Sequence, residues 1–563
     1  MNVNIAIVSP EFPFSGRVPL VPPILEYLGA LTLRECPEMG LSLIDANQRP
    51  ISPDEIDAQA VAISVMTATA PWAYRFADAC RRSGKRVILG GIHPTALPHE
   101  ASAHADSVVI GEAESVWKNV LADLRRGSLA PFYRGERLPL QNLPRPIDGK
   151  LKGNYQFRAF FTMRGCPYRC TFCSVRRFFG DTIRYRPIPE VVEEIEACAG
   201  SLWFNGDDNI WGGDINRSIQ LFNALAAGTK RHWYGFGDLR SIQGPQGERM
   251  LSAARRSGLF SVWVGWENDE ERLSVFNAGG KQGADRIGAI RRMQDAGVDV
   301  TLFVVLGARE DSIESFKRTL ELSERLGVGI HPVLLTPLPG TELYEAYRDY
   351  LIPGLGWEAF TGVRSVFTHP SPDMTPERRE EEYHRLTHEL FRFERIVSRL
   401  RRISSKGFPS THLYSLMMQL PMKHALSRAY GEWRTDYLSR GVPLSGASTP
   451  PPPELPTVQA PRQEQMGWFI LIILLTLVDM TELLFFPESP VVDIVEAILF
   501  LNSAILLLHL LIVSRKILYR AIDTFIDWSA DGGNKRRILV RGVMMSLLYG
   551  GGELWGGICL LQH

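Results

Sequence analysis

Three cysteines within eight positions are the residues of this sequence best suited to chemistry. Cys166, Cys170 and Cys173 stand in "MRGCPYRCTFCSVRRFFG" with C-x3-C-x2-C spacing, and the other four of the seven cysteines are scattered singly. The odd number argues against a disulfide as their main purpose. The opening segment "MNVNIAIVSPEF" lacks the basic and apolar regions of a secretory signal peptide. We therefore expect reduced thiols inside a cell.

These thiols suit a metal site. No fourth cysteine or nearby histidine completes the tetrahedron that structural zinc normally has, although zinc with one open position stays an alternative. Three soft thiolates on one short loop also suit an iron–sulfur cluster whose fourth iron has no protein ligand. That iron would be free to bind a substrate or a cofactor.

The same segment resembles the signature of the radical S-adenosylmethionine (SAM) enzymes. The cysteine spacing, the preceding strand-like "AFFTMR" and the aromatic Phe172 carry the resemblance. It implies a [4Fe-4S] cluster on Cys166, Cys170 and Cys173, whose open iron chelates the amino and carboxylate groups of SAM. An electron from the cluster would cleave SAM to a 5′-deoxyadenosyl radical, with Phe172 packed near the adenine.

Composition gives no support for a polyanionic partner. The 563 residues contain 62 Lys and Arg and 62 Asp and Glu, so the formal net charge is zero and nucleic-acid binding is not expected. Hydrophobic residues make up 45% of the chain, enough for several domain cores. The twelve histidines show no H-E-x-x-H or other ligand spacing, so no second metal site is predicted.

Residues 1–135 alternate short β-rich runs with helical patterns. The strand-like runs are "VNIAIVS", "LSLID", "AVAISVM", "RVILGG" and "DSVVIG". This α/β alternation predicts a doubly wound parallel sheet. Ligands of such sheets bind at the carboxyl ends of the strands. The loops there carry the candidate residues Ser64, Thr67, Gly90, Gly91, His93, Gly111 and Glu112.

That set of loops resembles the cobalamin-binding domain that precedes the barrel in many radical SAM enzymes. The D-x-H-x-x-G motif, whose histidine coordinates cobalt in other cobalamin proteins, is absent, and "IDANQRP" stands where we would expect it. We therefore expect cobalamin without a histidine ligand from that motif. Two alternatives stay open, a domain that has lost the cofactor and a pocket used for substrate, because Gly90 and Gly91 also suit any tight strand-to-helix turn.

Residues 136–350 continue the alternation and predict a partial (β/α)6 TIM-like barrel, the radical SAM core. Its six βα units begin with "AFFTMR", "SLWFN", "HWYGFG", "FSVWVG", "DVTLFVV" and "IHPVLL". Chemistry in such barrels gathers at the carboxyl ends of the strands. By resemblance, Gly206, Asp207 and Asp208 stand where a Gly-Gly-Glu segment binds the SAM amino group, and Glu267 contacts the SAM ribose or amino acid.

A purely structural role is the alternative for each of these residues. Asp and Gly are ordinary turn formers, and Glu267 could equally be a solvated surface carboxylate. Asp238 and Arg240 after the third strand are weaker candidates for contacts to SAM, as is Gly307 after the fifth.

The C-terminal part changes composition. Residues 351–440 form a predicted helical extension, in which "TPERREEEYHRLTHELFRFERIVSRLRRIS" is one amphipathic helix, and 441–466 is a proline-rich linker. In the predicted membrane domain, 467–563, the apolar stretches 467–486 and 491–513 are each long enough to span a bilayer. They are joined only by "PESP", and their basic flanks place both ends in the cytoplasm. A third stretch, 538–562, either spans the membrane, re-enters it or lies in its interface.

Together these features predict a membrane-anchored, cobalamin-dependent radical SAM enzyme, with its catalytic domains on the cytoplasmic side of the cell (inner) membrane. The resemblance implies C-methylation of an unactivated carbon, with a flavodoxin or ferredoxin as reductant. The predicted membrane anchor indicates a lipid or other hydrophobic substrate. One alternative is radical cyclisation or rearrangement of a lipid or tetrapyrrole without methyl transfer. Another is a membrane iron–sulfur sensor or electron carrier that does not turn over.

Overall fold

The structure of the protein, a computed structural model, describes residues 3–13, 20–151, 153, 155–198, 200, 202–267, 276, 285–403 and 410–440. Both large sheets belong to one compact unit, which contains Met1–Thr387 and Arg399–Ser415. A second unit contains His388–Ser398 and most of the last helix.

The N-terminal sheet has six parallel strands with helices between them. The strands are β1 Ile5–Ser9, β2 Leu41–Asp45, β3 Ala60–Ser64, β4 Arg86–Gly90, β5 Ser107–Ile110 and β6 Phe132–Arg134. The helices are α1 Pro23–Glu35, α2 Ala70–Arg82, α3 Ile92–Ala96, α4 Pro98–Ser102 and α5 Trp117–Arg126. The strand order is β2-β1-β3-β4-β5-β6. The predicted parallel sheet is confirmed, and β6 is a further strand that the sequence reading did not identify.

Both faces of this sheet are covered, as a parallel sheet requires. Val8 and Ile63 pack on one face, in the same core as Phe76 of α2, whereas Ile7 packs on the other face, in the same core as Trp117 of α5. Because β1 lies between β2 and β3, the chain direction across the sheet reverses there. A crevice at the carboxyl ends of β1 and β3 follows from this order.

The second sheet also has six parallel strands. The strands are β7 Arg158–Phe160, β10 Leu202–Asn205, β11 His232–Gly237, β12 Leu259–Glu267, β13 Asp299–Leu306 and β14 Gly329–Leu334. Their order in the sheet is β14-β13-β12-β11-β10-β7, so each strand pairs with the one that precedes it in this sheet along the chain. The helices around them are α6 Val175–Phe179, α7 Ile188–Ala197, α8 Ile215–Ala227, α9 Gly244–Arg256, α10 Arg286–Asp295, α11 Ile313–Leu326 and α12 Glu342–Tyr347. This is the topology of the six predicted βα units.

The first predicted barrel strand, "AFFTMR", is broken in two, which corrects the expectation of one continuous strand. β7 ends at Phe160, and the short strand β8 Met163–Arg164 pairs antiparallel with β9 Arg184–Tyr185. The chain turns between β7 and β8 because the buried carboxylate of Asp207 binds the backbone nitrogens of Thr162 and Met163. The cysteine loop follows β8 directly.

The predicted single helix over 375–404 is also wrong, since two helices occupy this stretch. They are α13 Pro376–Leu390 and α14 Phe393–Leu400, and α15 Ser410–Arg440 follows. No glycine or proline marks the break between α13 and α14 in the sequence.

No helix among the residues that the structure describes is both long and apolar enough to cross a membrane. The predicted linker 441–466 and the predicted membrane stretches 467–486, 491–513 and 538–562 lie outside the described residues.

Candidate cofactor sites

The three cysteines lie on the loop between β8 and α6. Gly165 opens this loop with φ +98°, and a Cβ atom there would lie 2.9 Å from the carbonyl oxygen of Thr182, so the turn requires glycine. The backbone nitrogen of Cys173 donates to the carbonyl oxygen of Cys170 at 3.2 Å. These constraints fix the path of the chain through the thiol positions.

Cys166, Cys170 and Cys173 form no disulfide, and each is half-buried. Burial, and to a smaller extent the negative charges of Cys170 and Cys166, raise the pKa of Cys173 to about 12. A cationic iron centre would relieve this cost, because metal binding favours the thiolate. The donor set on this loop therefore fits an iron–sulfur cluster.

Among the described residues, no group of three or more His, Cys, Asp or Glu side chains is arranged to hold a single metal ion. A [4Fe-4S] cluster takes each thiolate on a different iron and so needs the sulfur atoms farther apart than one zinc ion does.

Phe172 is packed rather than free. Its ring meets that of Phe276 edge-on, with the centroids 5.5 Å apart. The neighbouring residue Thr171 accepts a backbone hydrogen bond from Leu343 at 3.1 Å and donates one to Phe276 at 3.0 Å. Phe172 thus secures the loop to the barrel, and its predicted place beside the adenine stays a prediction.

Asp207 serves the turn before the cysteine loop. Its Oδ1 accepts from the backbone nitrogens of Thr162 and Met163 at 2.7 and 3.1 Å, and its Oδ2 accepts from the Thr162 hydroxyl at 2.6 Å. The side chain is almost wholly buried. Both oxygens thus support this turn, and the predicted contact of Asp207 with the SAM amino group stays a prediction. Gly206 is required sterically, since a Cβ would lie 2.4 Å from the Phe161 ring.

Asp208 is placed better for a ligand. It is half-buried, and its Oδ2 accepts from the backbone nitrogen of Gly165 at 3.2 Å, one residue before Cys166. Burial, and to a smaller extent the charge of Asp207, raise the pKa of Asp208 to about 6. A cationic partner beside Asp208 would favour its ionised form.

Glu267 ends β12 in an unusual conformation. Its φ is +62°, and the pairing of β12 with β13 shifts register between Gly265 and Glu267. A bulge re-aims the side chain at a strand end, and a non-glycine residue at positive φ stores strain that often accompanies function. The carboxylate is buried, not a solvated surface group.

Asp238 is an anchor for the cysteine loop. Its Oδ2 accepts from Asn209 and from the Ser241 hydroxyl, both at 2.8 Å. Tyr168, which lies between the first two cysteines, also bonds to Asp238. Burial, and then the charge of Asp238, raise the pKa of Tyr168. Sequence reasoning missed Tyr168, although its place inside the cysteine motif was a signal for it.

The other two weak candidates differ in their surroundings. Arg240 is exposed at the start of the loop after β11. Gly307 has φ +81°, and a Cβ there would lie 3.2 Å from the buried Arg379 side chain. Gly307 therefore has a packing reason for being glycine.

Small residues form the carboxyl edge of the N-terminal sheet. Ser64 and Gly90 end β3 and β4, and their neighbour Gly91 has φ +104°, with a Cβ position only 2.8 Å from the backbone of Val65. Gly111 has φ +82°, and a Cβ there would lie 3.1 Å from the carbonyl oxygen of Gly135. The structure thus brings Ser64 and these glycines together at one edge.

Met66 is the side chain of this edge that sequence reasoning missed. It follows β3 and is 52% exposed, which is unusual for a large apolar residue. An exposed apolar side chain at the ligand-binding edge of a parallel sheet suits contact with an apolar ring surface.

His93 supports the loop from beneath. It is fully buried, with Nδ1 3.3 Å from the Thr67 hydroxyl and Nε2 3.1 Å from Glu100. Trp357 also donates to Glu100, at 3.0 Å. Because both ring nitrogens are engaged, His93 and Thr67 shape the edge, and neither ring nitrogen is left for a metal.

Glu112 points to the barrel. Its carboxylate pairs with Arg164 at 2.6 Å and with Arg184, and its side chain is only 2% exposed. The predicted contact of Glu112 with cobalamin stays a prediction. Since Arg164 is two residues before Cys166, the pair also shows that the edge of the N-terminal sheet lies beside the cysteine loop.

Two domain families match the chain at these sites. Residues 49–121 match the B12 binding domain, and residues 160–323 match the radical SAM superfamily. The chain therefore combines a B12-binding domain with a radical SAM domain, and the protein is an enzyme. Its cofactors are a [4Fe-4S] cluster, SAM and cobalamin, as predicted.

Known proteins agree with this class. Bacteriochlorophyllide d C-12(1)-methyltransferase from Chlorobaculum tepidum is 27% identical over 359 residues, which are 60% of this chain and 76% of that one. Anaerobic magnesium-protoporphyrin IX monomethyl ester cyclase from Cereibacter sphaeroides is 27% identical over 304 residues, 46% of this chain and 48% of that one. The fold is similar to that of the radical SAM methyltransferase TsrM from Kitasatospora setae, with a TM-score of 0.52 and 17% identity over 68% of this chain and 85% of that one.

Proposed function

We propose that the protein is a cobalamin-dependent radical SAM methyltransferase that acts on an unactivated carbon of a hydrophobic substrate. The observation that carries this proposal is the ion pair of Arg164 with Glu112, because it joins the cysteine loop to the B12-binding edge. Two cofactor sites that meet at one point can serve one substrate. When bound, the cluster and SAM supply a hydrogen-abstracting 5′-deoxyadenosyl radical, and cobalamin supplies the methyl donor.

The residues of this chain hold and orient these groups. Cys166, Cys170 and Cys173 ligate the cluster, and Asp208 and Glu267 orient the polar end of SAM through charge-assisted hydrogen bonds. The bare edge at Ser64, Gly90, Gly91 and Gly111 admits the corrin ring, with Met66 against its face.

The inward face of the barrel supports an apolar substrate. Half-buried aromatic residues from neighbouring strands stand next to one another there, with centroids 5.4 Å apart for Phe236 and Trp263 and 5.6 Å apart for Trp263 and Phe303. Phe204 and His331 extend this set, which we name the aromatic wall. Such a wall favours a flat apolar molecule over a polar one. The tetrapyrrole names of the two relatives agree with this choice.

The reaction balances as follows. A substrate C–H bond is replaced by C–CH3, one SAM gives up its methyl group and becomes S-adenosylhomocysteine, and a second SAM is cleaved to methionine and 5′-deoxyadenosine, which carries off the substrate hydrogen. A flavodoxin- or ferredoxin-type reductant supplies two electrons.

The product ratio tests this function. Reduced full-length protein, with SAM and a solvent extract of host membranes, should form 5′-deoxyadenosine and S-adenosylhomocysteine in equal amounts when its substrate is present. Formation of 5′-deoxyadenosine alone would support the second candidate, a radical cyclisation or rearrangement, which the similarity to the cyclase favours. Formation of neither would leave the sensor or electron-carrier alternative.

We also propose that the apolar stretches 467–486 and 491–513 anchor the protein in the cell membrane, with the catalytic domains in the cytoplasm. The lengths of these stretches and their basic flanks support this. The anchor would bring the enzyme to a membrane-dissolved substrate. Full-length protein should remain in the membrane fraction after a high-salt wash, and a chain ending near residue 445 should not; release of both by salt would contradict the anchor.

A further inference from the structure

One arginine joins the two cofactor domains through two carboxylates. Arg164 Nη1 lies 2.6 Å from Glu112 and Arg164 Nη2 lies 2.6 Å from Glu114. Both glutamates follow β5, at the edge where the B12-binding domain is open. Arg164 ends β8 and is separated from Cys166 only by Gly165. The planar guanidinium fixes the direction as well as the distance of such contacts.

Neighbouring side chains complete this junction. Arg184 stands opposite Arg164 in the β8–β9 pair and also bonds to Glu112. Tyr27 of α1 donates to Glu114 at 2.7 Å. Burial by itself raises the pKa of Glu114, but the charge and hydrogen bond of Arg164 lower it overall, so the carboxylate is held ionised.

The junction is shielded from water. The side chains of Arg164, Glu112 and Glu114 are 17%, 2% and 8% exposed. Charges that are desolvated in this way are expensive unless their geometry is excellent, and breaking one such pair leaves an uncompensated buried charge. A gain in stability is therefore a weak explanation for this buried ion-pair group. A better explanation is that the group fixes one arrangement of the two cofactor domains.

We infer that Arg164, Glu112 and Glu114 form a positioning junction that sets the distance between the iron–sulfur cluster and cobalamin. The inference rests on the proposed function only in assuming that both groups are bound at the same time. These residues touch neither substrate nor cofactor in this role. They act by holding the cysteine loop against the B12-binding edge, so that the two reactive centres face one substrate position.

Pulsed EPR tests this directly. Full-length protein carrying cob(II)alamin and the reduced cluster has two paramagnetic centres, whose dipolar coupling reports the distance between them without any substrate. Wild-type protein should give a narrow distance distribution. Arg164→Met keeps much of the side-chain volume and removes the charge, and should broaden or shift the distribution by more than about 0.5 Å, the tolerance that a functional constellation requires.

Arg158→Met is the matched control. Arg158 pairs with Glu26 at 2.8 Å, also between the barrel and the N-terminal domain, and is likewise 17% exposed. It begins β7, away from the cysteine loop. Loss of this pair should lower the melting temperature about as much as Arg164→Met does, yet leave the distance distribution unchanged.

Two further outcomes keep the test decisive. If Arg164→Met does not retain both cofactors, the isosteric Glu114→Gln should show the same broadening to a smaller degree. A wild-type distribution in Arg164→Met or Glu114→Gln, or equal broadening in Arg158→Met, would overturn the inference. A narrow wild-type distance in a protein that transfers no methyl group would sink the proposed function and leave the junction standing.

Discussion

The carboxyl edges of the two sheets prepare for their cofactors in opposite ways. At the barrel, side-chain atoms are the candidate ligands. They are three thiols, the Asp208 carboxylate and the strained Glu267, all at the ends of strands. At the B12-binding sheet, Gly91 and Gly111 adopt a positive φ where a Cβ would meet the protein's own backbone, and His93 is hydrogen-bonded within its own domain. One edge binds by ligation and charge, and the other binds by shape.

This difference teaches which substitutions should matter at each edge. At the barrel, removing a polar or thiol group should remove binding. At the B12-binding sheet, adding volume should do so, whereas removing a polar group should do little.

Loss of any one thiol should have the largest effect. Cys166→Ala, Cys170→Ala or Cys173→Ala should abolish the cluster, since three thiolates already leave one iron without a protein ligand. Iron and sulfide per chain, measured after anaerobic reconstitution, check this. Cys36→Ala, in which a buried cysteine far along the chain is changed, should keep its full iron content. Unchanged iron in all three loop variants would mean that the loop is not the cluster site.

Added volume at the other edge should remove cobalamin and spare the cluster. Gly91→Ala places a Cβ 2.8 Å from the Val65 backbone at φ +104°, a strain of about 1–3 kcal/mol before any clash with a ligand. The cobalamin absorbance per chain measures the loss. Gly84→Ala is the matched control, because Gly84 also has positive φ but nothing within 4 Å of its Cβ position. Equal cobalamin content in both variants would contradict binding by shape.

Substitutions of two adjacent carboxylates should have different effects, one on ligand binding and the other on stability. Asp208→Asn should weaken SAM binding by about 1.5–3 kcal/mol, the loss of one charge-assisted hydrogen bond. Asp207→Asn should instead lower the melting temperature, because Asp207 holds the backbone of Thr162 and Met163. Calorimetric titration with SAM and thermal melts distinguish the two. Weaker SAM binding in the Asp207 variant alone would restore the assignment that the sequence suggested.

The stability of the protein at low pH should test the place of His331 in the aromatic wall. Burial lowers the pKa of His331 from 6.5 to about 4, so between these values the unfolded chain binds more protons than the folded one. Stability should fall as the pH drops below about 6.5, by on the order of 2 kcal/mol at pH 5. His331→Phe should shrink the drop in melting temperature between pH 8 and pH 5. An unchanged drop would show that His331 is not buried as the structure places it.

Local patterns were enough to predict the sheets, because each strand and helix carries its own periodicity and turn residues. The thiols and the glycines of the two edges follow from the sequence for the same reason. The contacts of Asp207 with Thr162 and of Glu112 with Arg164 could not be predicted, since these partners are distant in the sequence and only the fold brings them together. The break between α13 and α14 carries no local signal either. Met66 could not be singled out from the sequence either, because the sequence does not show that its side chain is exposed.

The fate of the methyl group tests the central claim most directly. Cells that express the full-length protein, and matched cells that express Cys170→Ala, would be fed methionine with a trideuterated methyl group, and their apolar extracts compared by mass spectrometry. The account predicts a compound that carries a new trideuteromethyl group only in the cells with the intact cluster loop. A compound that changes in those cells without the deuterated methyl group would contradict methyl transfer.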